Sequence, residues 1–484
     1  MNEIVYIIPS GRILLEHDSG SDLQFDFNHI YKLFPDCLPG QIRIWKTPEK
    51  PSRKWSRKIN LDESGIPVDF NKTTDKITTL DKKENKEEVI KNQIVSLPIK
   101  NKENKPKLPL VVWRGPFYTA TGYANMNREI TRRLISKGMN LKIEAFPGIN
   151  QVNSETSEFI NTYSKKATDD PNIVVTGYVP MPCSENAAYN IFYTMIESTT
   201  AHPEFVKRCN ESSKEVWIPN SDNARAMKEA GLCVPEYVIP LGVNTQRFSY
   251  GKVDVFNPYY KRVSDLTSCK PEGFRFLSIF RWAKSKGPDV LIKGFLKAFK
   301  DNESVHLVIF SHSKYAKCIQ EQIIHYADGF YPKNIFLYND VIPEEMMPSV
   351  YKSADCFVLP TRGEGMGLPI LEAASMGLPV IASYNTAMMD FLSPETAYII
   401  ETDKLEDASD DLAMTTPYYR GQKFPVLGEK SINKLSEYMK TIYNNKDIAL
   451  EKAKKLKDYV RNNLDWNDCA DKIISRLNEL LKGM

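Results

Sequence analysis

Short hydrophobic runs alternate with stretches of helical spacing over most of this 484-residue chain. From Leu108 onward the first series of strand-like runs is Leu110–Trp113, Leu141–Ala145, Ile173–Thr176, Ile191–Thr194, Glu215–Ile218 and Tyr237–Ile239. After a break over 245–272, a second series follows at Phe274–Ile279, His306–Ile309, Ile335–Leu337, Cys356–Leu359 and Pro379–Ala382. Buried strands that alternate with helices are typical of parallel sheets covered on both faces. The pattern therefore predicts an α/β fold with two doubly wound domains.

The two ends of the chain differ from this alternating pattern. Residues 1–107 contain β-like runs at Ile4–Ile8 and Gln41–Trp45, followed by a stretch rich in Lys, Asn, Thr, Asp and Glu. This composition predicts an N-terminal extension and charged linker. We expect the two domains at 108–245 and 246–450. At the C-terminal end, apolar residues at helical spacing predict helices that pack back across the domains over 451–484.

Composition favours a water-soluble globular protein, with 42% hydrophobic and 26% charged residues. The 64 basic and 61 acidic residues nearly cancel, so no strong overall field attracts nucleic acid or membrane. The eight cysteines include no Cys-x-x-Cys pair, and neither a signal-like N-terminus nor a run of eighteen apolar residues occurs. We expect a cytoplasmic protein.

A local basic and aromatic cluster lies in the charged linker at residues 50–58. Trp55 is surrounded there by basic side chains, namely Lys50, Arg53, Lys54, Arg57 and Lys58. Such a cluster can make weak contacts with an anionic lipid surface or a nucleic acid. A solvated linker is the alternative interpretation.

The segment with the clearest chemistry is 357–382, which reads FVLPTRGEGMGLPILEAASMGLPVIA. It predicts a strand, a glycine-rich turn and a helix that begins near Pro369. Backbone N–H groups of Gly365, Met366, Gly367 and Leu368 would then approach a diphosphate at the positive end of the helix. Glu372 follows Glu364 by eight positions, and its carboxylate can hold two ribose hydroxyls.

This segment resembles the E-x7-E motif of retaining glycosyltransferases of the GT-B fold, especially those of family 4. The resemblance extends over roughly Leu108 to Trp466. It implies two Rossmann-like domains that face a central cleft. It also implies that the enzyme moves a hexose from a UDP- or GDP-sugar to an acceptor hydroxyl with retention of the anomeric configuration. A phosphate oxygen would take the acceptor proton. Glu364 would then orient the donor rather than act as a nucleophile.

Two basic residues follow the first strand of the second domain. Arg281 and Lys286 are five positions apart and resemble the pair that clamps the donor diphosphate in the same family. Two fixed cations stabilise the negative charge that grows on a leaving diphosphate. No Asp-x-Asp pair occurs in the chain, so we expect neither a required metal nor a cofactor, with the nucleotide sugar as substrate.

The first domain offers further candidates. Gly115 and Gly122 lie in a strand-to-helix loop that resembles the N-terminal glycine loop of family 4, although a plain turn is an alternative interpretation. Many family members have a histidine after the strand that corresponds to Ile191–Thr194, whereas this chain has Glu197, with His202 five residues later. Glu197 can face a donor or acceptor sugar, or it can cap the following helix.

Two other functions are compatible with the same fold. Related two-domain proteins act as nucleotide-sugar epimerases or glycan phosphorylases, and a third possibility is a non-catalytic nucleotide-sugar-binding scaffold. The acceptor stays open between a glycan, a lipid, a protein and a modified nucleic acid, and so does the oligomeric state.

Overall fold

The computed structural model describes the backbone of four strands before residue 61, and then the following parts of the chain: 110–165, 173–181, 189–249, 273–300, 302–311, 316–339, 341–402, 404–413 and 416–483. The chain divides into two compact units, Met1–Glu103 and Asn104–Met484. The basic residues predicted at 50–57 lie outside the described residues, and so does the side chain of Lys58.

The first unit contains a four-stranded sheet. Its strands are β1 (Glu3–Ile8), β2 (Gly11–Glu16), β3 (Arg43–Thr47) and β4 (Lys58–Asn60). Their order is β3-β1-β2-β4, with β1 antiparallel to β2 and β3, and with β2 parallel to β4. The β-like runs expected near residues 4–8 and 41–45 correspond to β1 and β3.

The second unit begins with a six-stranded parallel sheet in the order β10-β9-β8-β7-β5-β6. The strands are β5 (Val111–Gly115), β6 (Leu141–Ala145), β7 (Ile173–Thr176), β8 (Tyr189–Tyr193), β9 (Glu215–Ile218) and β10 (Glu236–Val238). The helices are α1 (Gly122–Ser136), α2 (Ser154–Ser164), α3 (Pro203–Ser212) and α4 (Ser221–Glu229). Side chains of Thr121, Asn153 and Asn220 accept hydrogen bonds from backbone N–H groups and so fix where α1, α2 and α4 begin.

A second six-stranded parallel sheet follows in the order β13-β12-β11-β14-β15-β16. Its strands are β11 (Phe274–Ile279), β12 (Val305–Phe310), β13 (Ile335–Tyr338), β14 (Cys356–Leu359), β15 (Val380–Ser383) and β16 (Tyr398–Ile400). Its helices are α5 (Pro288–Phe299), α6 (Ala316–Tyr326), α7 (Met347–Lys352) and α8 (Leu368–Met376). The prediction of two doubly wound α/β domains is confirmed.

The second sheet is followed by a short excursion and three long helices. The excursion contains an antiparallel pair, β17 (Leu405–Asp407) and β18 (Lys423–Pro425), and a one-turn helix α9 (Asp410–Ala413). The long helices are α10 (Glu429–Asn444), α11 (Lys446–Asn463) and α12 (Trp466–Lys482). In the described part of the chain, no helix has both the length and the apolar content needed to cross a membrane.

Helix α12 returns to the first sheet and contacts it through a buried ion pair. The fully buried carboxylate of Glu215 lies 2.6 Å from Arg476 Nη2 and also accepts hydrogen bonds from Trp217 Nε1 at 2.7 Å and from the Tyr189 hydroxyl at 3.1 Å. Arg476 also pairs with the exposed Glu479 at 2.9 Å. The contact holds the C-terminal helix against the first domain.

We expect Arg476→Ala to lower the free energy of unfolding by about 3 kcal/mol, because the substitution leaves a buried carboxylate without its counter-ion. Urea unfolding of the full chain measures this. The matched control is Glu479→Ala, which removes only the exposed partner of the same arginine and should change stability by about 0.5 kcal/mol or less. Equal effects of the two substitutions would contradict the role of the buried pair.

Candidate active site

The carboxyl ends of the strands in the two sheets supply the loops that form the candidate site. Glu197 follows β8 in the first sheet, Lys286 follows β11 in the second, and Glu364 follows β14. In open parallel sheets, ligands bind beyond the carboxyl ends of strands. The side chains of Glu197, Lys286 and Glu364 contact one another beyond the carboxyl ends of these strands.

Lys286 lies at the centre of the site and is only 6% exposed. Its Nζ lies 2.8 Å from Glu364 Oε1 and 3.1 Å from Glu197 Oε2, and it donates to the Gly363 carbonyl at 3.1 Å. One carboxylate therefore comes from the first domain and one from the second. The ammonium joins the two domains across the candidate cleft.

The position of Glu197 bears on one of the two interpretations left open by the sequence, the one in which it caps the following helix. His202, not Glu197, caps the following helix α3, because its Nδ1 accepts a hydrogen bond from the Glu204 N–H at 3.1 Å. The capping interpretation of Glu197 is therefore wrong. Its carboxylate instead contacts Lys286 and accepts a hydrogen bond from the Tyr419 hydroxyl at 2.6 Å.

Burial and mutual charges shift the pKa values of Lys286, Glu197 and Glu364 in different directions. Burial alone lowers the pKa of the Lys286 ammonium, but the two carboxylates outweigh burial and raise it. Burial opposes ionisation of Glu197, yet Lys286 and Tyr419 lower the pKa of its carboxyl. Burial raises the pKa of the Glu364 carboxyl, and the charge of Glu197 adds to that rise against the opposing effect of Lys286.

Arg281 lies just after β11 and is exposed. Within the described parts of the chain it forms no ion pair or side-chain hydrogen bond, although its charge helps to lower the pKa of the Glu197 carboxyl. The guanidinium is thus close enough to act on the site electrostatically while its donors are not committed to another side chain. Such a group can bind an anion without first losing a partner.

The first turn of helix α5 and the loop after β14 are joined by a forked ion pair. Both terminal nitrogens of Arg362 contact the carboxylate of Asp289, at 3.0 and 2.9 Å, and the Arg362 N–H donates to the Ser285 carbonyl at 2.6 Å. Burial favours a higher pKa for Asp289, but the Arg362 hydrogen bonds outweigh it and the pKa is lowered. This pair, which the sequence did not reveal, fixes the spacing between Lys286 and Glu364.

Close packing explains the glycines around Glu364. A Cβ atom at Gly363 would lie 1.7 Å from the Glu197 carbonyl oxygen, and one at Gly365 would lie 2.5 Å from Met195 Sδ. Gly367 has a φ of +76° immediately before helix α8, a conformation that side chains other than glycine rarely adopt. The glycines allow the loop of the second domain to approach the first.

The backbone at the start of α8 forms a possible anion site. The carbonyl of Gly365 accepts a hydrogen bond from Asn220 Nδ2 at 2.6 Å, which orients the loop. The N–H groups of residues 365–368 donate to no other described group, and no side chain caps the helix. Unpaired N–H groups at a helix N-terminus attract phosphate and carboxylate groups.

Glu372 lies on α8 but has different neighbours from Glu364. Its Oε2 accepts a hydrogen bond from the buried Tyr351 hydroxyl at 2.6 Å. Burial raises the pKa of Glu372 to about 7, and the nearby Glu344 contributes to this rise while Tyr351 and Arg247 oppose it. Glu364 and Glu372 therefore belong to two separate groups of polar side chains.

The two glycines predicted in the first domain have different surroundings. A Cβ at Gly115 would lie 2.5 Å from Asn127 Nδ2 and 2.9 Å from the Gly177 carbonyl, so packing within the domain already requires glycine there. Gly122 begins helix α1 after the capping residue Thr121, and a Cβ there would meet nothing within 4 Å. A donor contact for either glycine stays a prediction.

Comparison with known proteins bears on the fold of the second unit. Residues 273–414 match the family described as Glycosyl transferases group 1. The structure of Anabaena Alr3699/HepE in complex with UDP and glucose matches with a TM-score of 0.56 at 10% identity, over 77% of this chain and 100% of that chain. The protein has the GT-B fold.

Curated relatives match shorter parts of this GT-B chain. D-inositol 3-phosphate glycosyltransferase of Paenarthrobacter aurescens is 27% identical over 169 residues, which are 33% of this chain and 41% of the relative. GDP-mannose-dependent alpha-(1-6)-phosphatidylinositol monomannoside mannosyltransferase of Mycolicibacterium smegmatis is 29% identical over 143 residues, which are 28% of this chain and 35% of the relative. The chain thus covers 41% or less of the length of these two relatives.

Among the described residues, no group of three or more His, Cys, Asp and Glu side chains is placed so that it could hold a metal ion. The neighbours of the candidate site that no sequence pattern indicated are Asn220, Arg362 and Tyr419. Each acts through a contact with a residue distant in the chain. Arg362 lies within the segment 357–382, but nothing in that segment indicates its partner Asp289.

We expect Glu372→Gln to weaken the pH dependence of stability. The folded chain keeps a proton on Glu372 up to about pH 7, whereas the ordinary value is 4.5, so the free energy of unfolding of the unsubstituted protein should fall as pH rises between these values. At about pH 8 the variant should be more stable by up to about 3 kcal/mol. Urea unfolding at about pH 5 and pH 8 measures the difference.

The control is Glu451→Gln on the exposed surface of α11, which should change the free energy of unfolding by about 0.5 kcal/mol or less at either pH. If Glu372→Gln and the unsubstituted protein lose the same free energy of unfolding between the two pH values, the prediction that the pKa of Glu372 is raised is wrong.

Proposed function

We propose that this GT-B protein is a retaining hexosyltransferase of glycosyltransferase family 4, which moves a hexose from a UDP- or GDP-sugar to an acceptor hydroxyl. The observation that carries the proposal is the joint arrangement of Lys286, Glu364 and the N–H groups of 365–368 beyond the carboxyl ends of strands in the second sheet. The Anabaena structure contains UDP and glucose, and the Mycolicibacterium relative is named for GDP-mannose, which supports these donor classes.

In the proposed reaction the bond between the sugar C1 and the diphosphate oxygen breaks, and its electron pair goes to the diphosphate. The growing negative charge is stabilised by Arg281 and Lys286 and by the N–H groups at the start of α8. The acceptor hydroxyl oxygen forms the new bond to C1 on the face from which the diphosphate departs, and a phosphate oxygen takes the proton of that hydroxyl. The step uses no protein nucleophile, metal or cofactor.

Other side chains orient the donor. We assign Glu364 to the hydroxyls of the transferred sugar, because its carboxylate is held beside Lys286. Glu372 would hold the ribose, and the loop that contains Gly115 and Gly122 would lie along the sugar and diphosphate. The relatives described above are named as transferases, so an epimerase, a phosphorylase or a scaffold has no observation in its favour.

The direct test is a panel of nucleotides and nucleotide sugars, including UDP-glucose, UDP-galactose and GDP-mannose. A donor present at about 100 times its dissociation constant stabilises the folded chain by about 2.7 kcal/mol, which raises the unfolding midpoint. Slow hydrolysis of the donor in the absence of an acceptor is the second readout. If no member of the panel raises the midpoint or is hydrolysed, the proposed function is wrong.

We expect Arg281→Ala to lower the rate of donor turnover by about 100-fold or more, because a cation that stabilises the leaving group is lost. The unfolding midpoint should stay unchanged, since Arg281 is exposed and pairs with no described side chain. The matched control is Arg208→Ala on α3, which removes a partly exposed arginine that contacts Glu204. Equal turnover in the two variants would contradict the role of Arg281.

A further inference from the structure

An excursion of the second domain reaches the first domain beside the candidate site. We call it the strap and define it by the described residues 404–413 and 416–428. It leaves the second sheet after β16 and returns at the start of α10. Its own small core consists of Leu412, Tyr419 and Phe424, so it is a folded element.

The strap contacts the chain just after Glu197. The Lys423 carbonyl accepts hydrogen bonds from the N–H and the hydroxyl of Thr199, at 3.0 and 2.7 Å. The Thr200 hydroxyl donates to Gln422 Oε1 and accepts from the Lys423 N–H, both at 2.9 Å. These contacts fix the strap to the first domain.

Tyr418, the neighbour of Tyr419, adds an aromatic contact to this attachment. Its ring lies 5.7 Å from the His202 ring and 5.2 Å from the Phe205 ring, measured between centroids. Its hydroxyl makes no hydrogen bond to any described residue. Tyr418 thus fastens the strap through its ring alone.

Tyr419, in contrast, contacts Glu197 in the candidate site. Its hydroxyl donates to Glu197 Oε2 at 2.6 Å, and Lys286 Nζ contacts the same oxygen at 3.1 Å. Burial, with the charge of Glu197, raises the pKa of Tyr419, so the hydroxyl stays protonated and remains a donor. No described residue donates to the second oxygen, Glu197 Oε1. One oxygen of the carboxylate is fixed, and the other can accept.

We propose that Tyr419 is a positioning residue that holds Glu197 so that Oε1 accepts a hydrogen bond from a hydroxyl group of the sugar in the cleft. The inference rests on the proposed function. It also gives the strap a role beyond attachment, because the bonds at Thr199 and Thr200 and the ring of Tyr418 hold it in place without the Tyr419 hydroxyl. The Tyr419 hydroxyl is then required for turnover rather than for folding.

The test compares Tyr419→Phe with Tyr418→Phe in the full chain. Each substitution removes one hydroxyl from neighbouring residues of the strap and keeps the ring. Loss of a hydrogen bond to a charged group should lower kcat for donor turnover by about 10-fold or more in Tyr419→Phe. Tyr418→Phe should retain turnover within about twofold.

The pH profile separates positioning from a merely structural effect. Lys286, Arg281 and Tyr419 lower the pKa of Glu197, while burial opposes them and Glu364 is the neighbouring carboxylate. Without the Tyr419 hydroxyl the pKa of Glu197 rises. The acid limb of the rate profile should therefore move to higher pH in Tyr419→Phe and stay in place in Tyr418→Phe.

A double substitution completes the test. If Tyr419 acts through Glu197, Tyr419→Phe should cause little further loss in a Glu197→Gln background. Equal rates and pH profiles in Tyr419→Phe and Tyr418→Phe, in a protein that turns over a donor, would overturn the role of Tyr419 and leave the proposed function standing. A protein that neither binds nor hydrolyses any donor would overturn both.

Discussion

The buried ammonium of Lys286 needs hydrogen-bond acceptors, and the loops around the cleft supply them. Desolvation of a charge is costly unless acceptors replace the lost water. Here the acceptors are Glu364 and the Gly363 carbonyl from the second domain and Glu197 from the first. Because one acceptor comes from the opposite domain, the pairing requires the close approach that only glycine permits at position 363. The same interaction therefore determines the local chemistry and the distance between the domains.

The two carboxylates around this ammonium are not equivalent. Tyr419 and Lys286 lower the pKa of Glu197, whereas burial and the charge of Glu197 raise the pKa of Glu364. Neighbouring titratable groups whose pKa values are moved apart commonly have separate roles in a site. Glu197 is suited to stay ionised and accept hydrogen bonds, and Glu364 is the carboxyl that more readily takes up a proton. The structure thus distinguishes two acids that both follow a strand.

The sequence predicted the parts of the molecule that have a local signal. Strands of the two parallel sheets are covered on both faces, so they form continuous apolar runs such as Cys356–Leu359, in which every residue is buried. The strap has no such run, and its attachment depends on polar residues such as Gln422, so it was not predicted. Lys286 and Glu364 were found through their motifs. The environment of Glu197 could not be predicted, because its partners Lys286 and Tyr419 are distant in the chain and meet it only in the folded protein.

The resemblance to family 4 treats Arg281 and Lys286 as one clamp, but their surroundings give them different roles. An ammonium has three protons, and those of Lys286 already have acceptors in Glu197, Glu364 and the Gly363 carbonyl. Lys286 can therefore bond a donor diphosphate only by losing one of these partners. Arg281 loses none, since it is exposed and pairs with no described side chain, and the same holds for the N–H groups of 365–368. We infer that Arg281 and the backbone make the direct contacts, while Lys286 acts through its charge and by keeping both carboxylates in place.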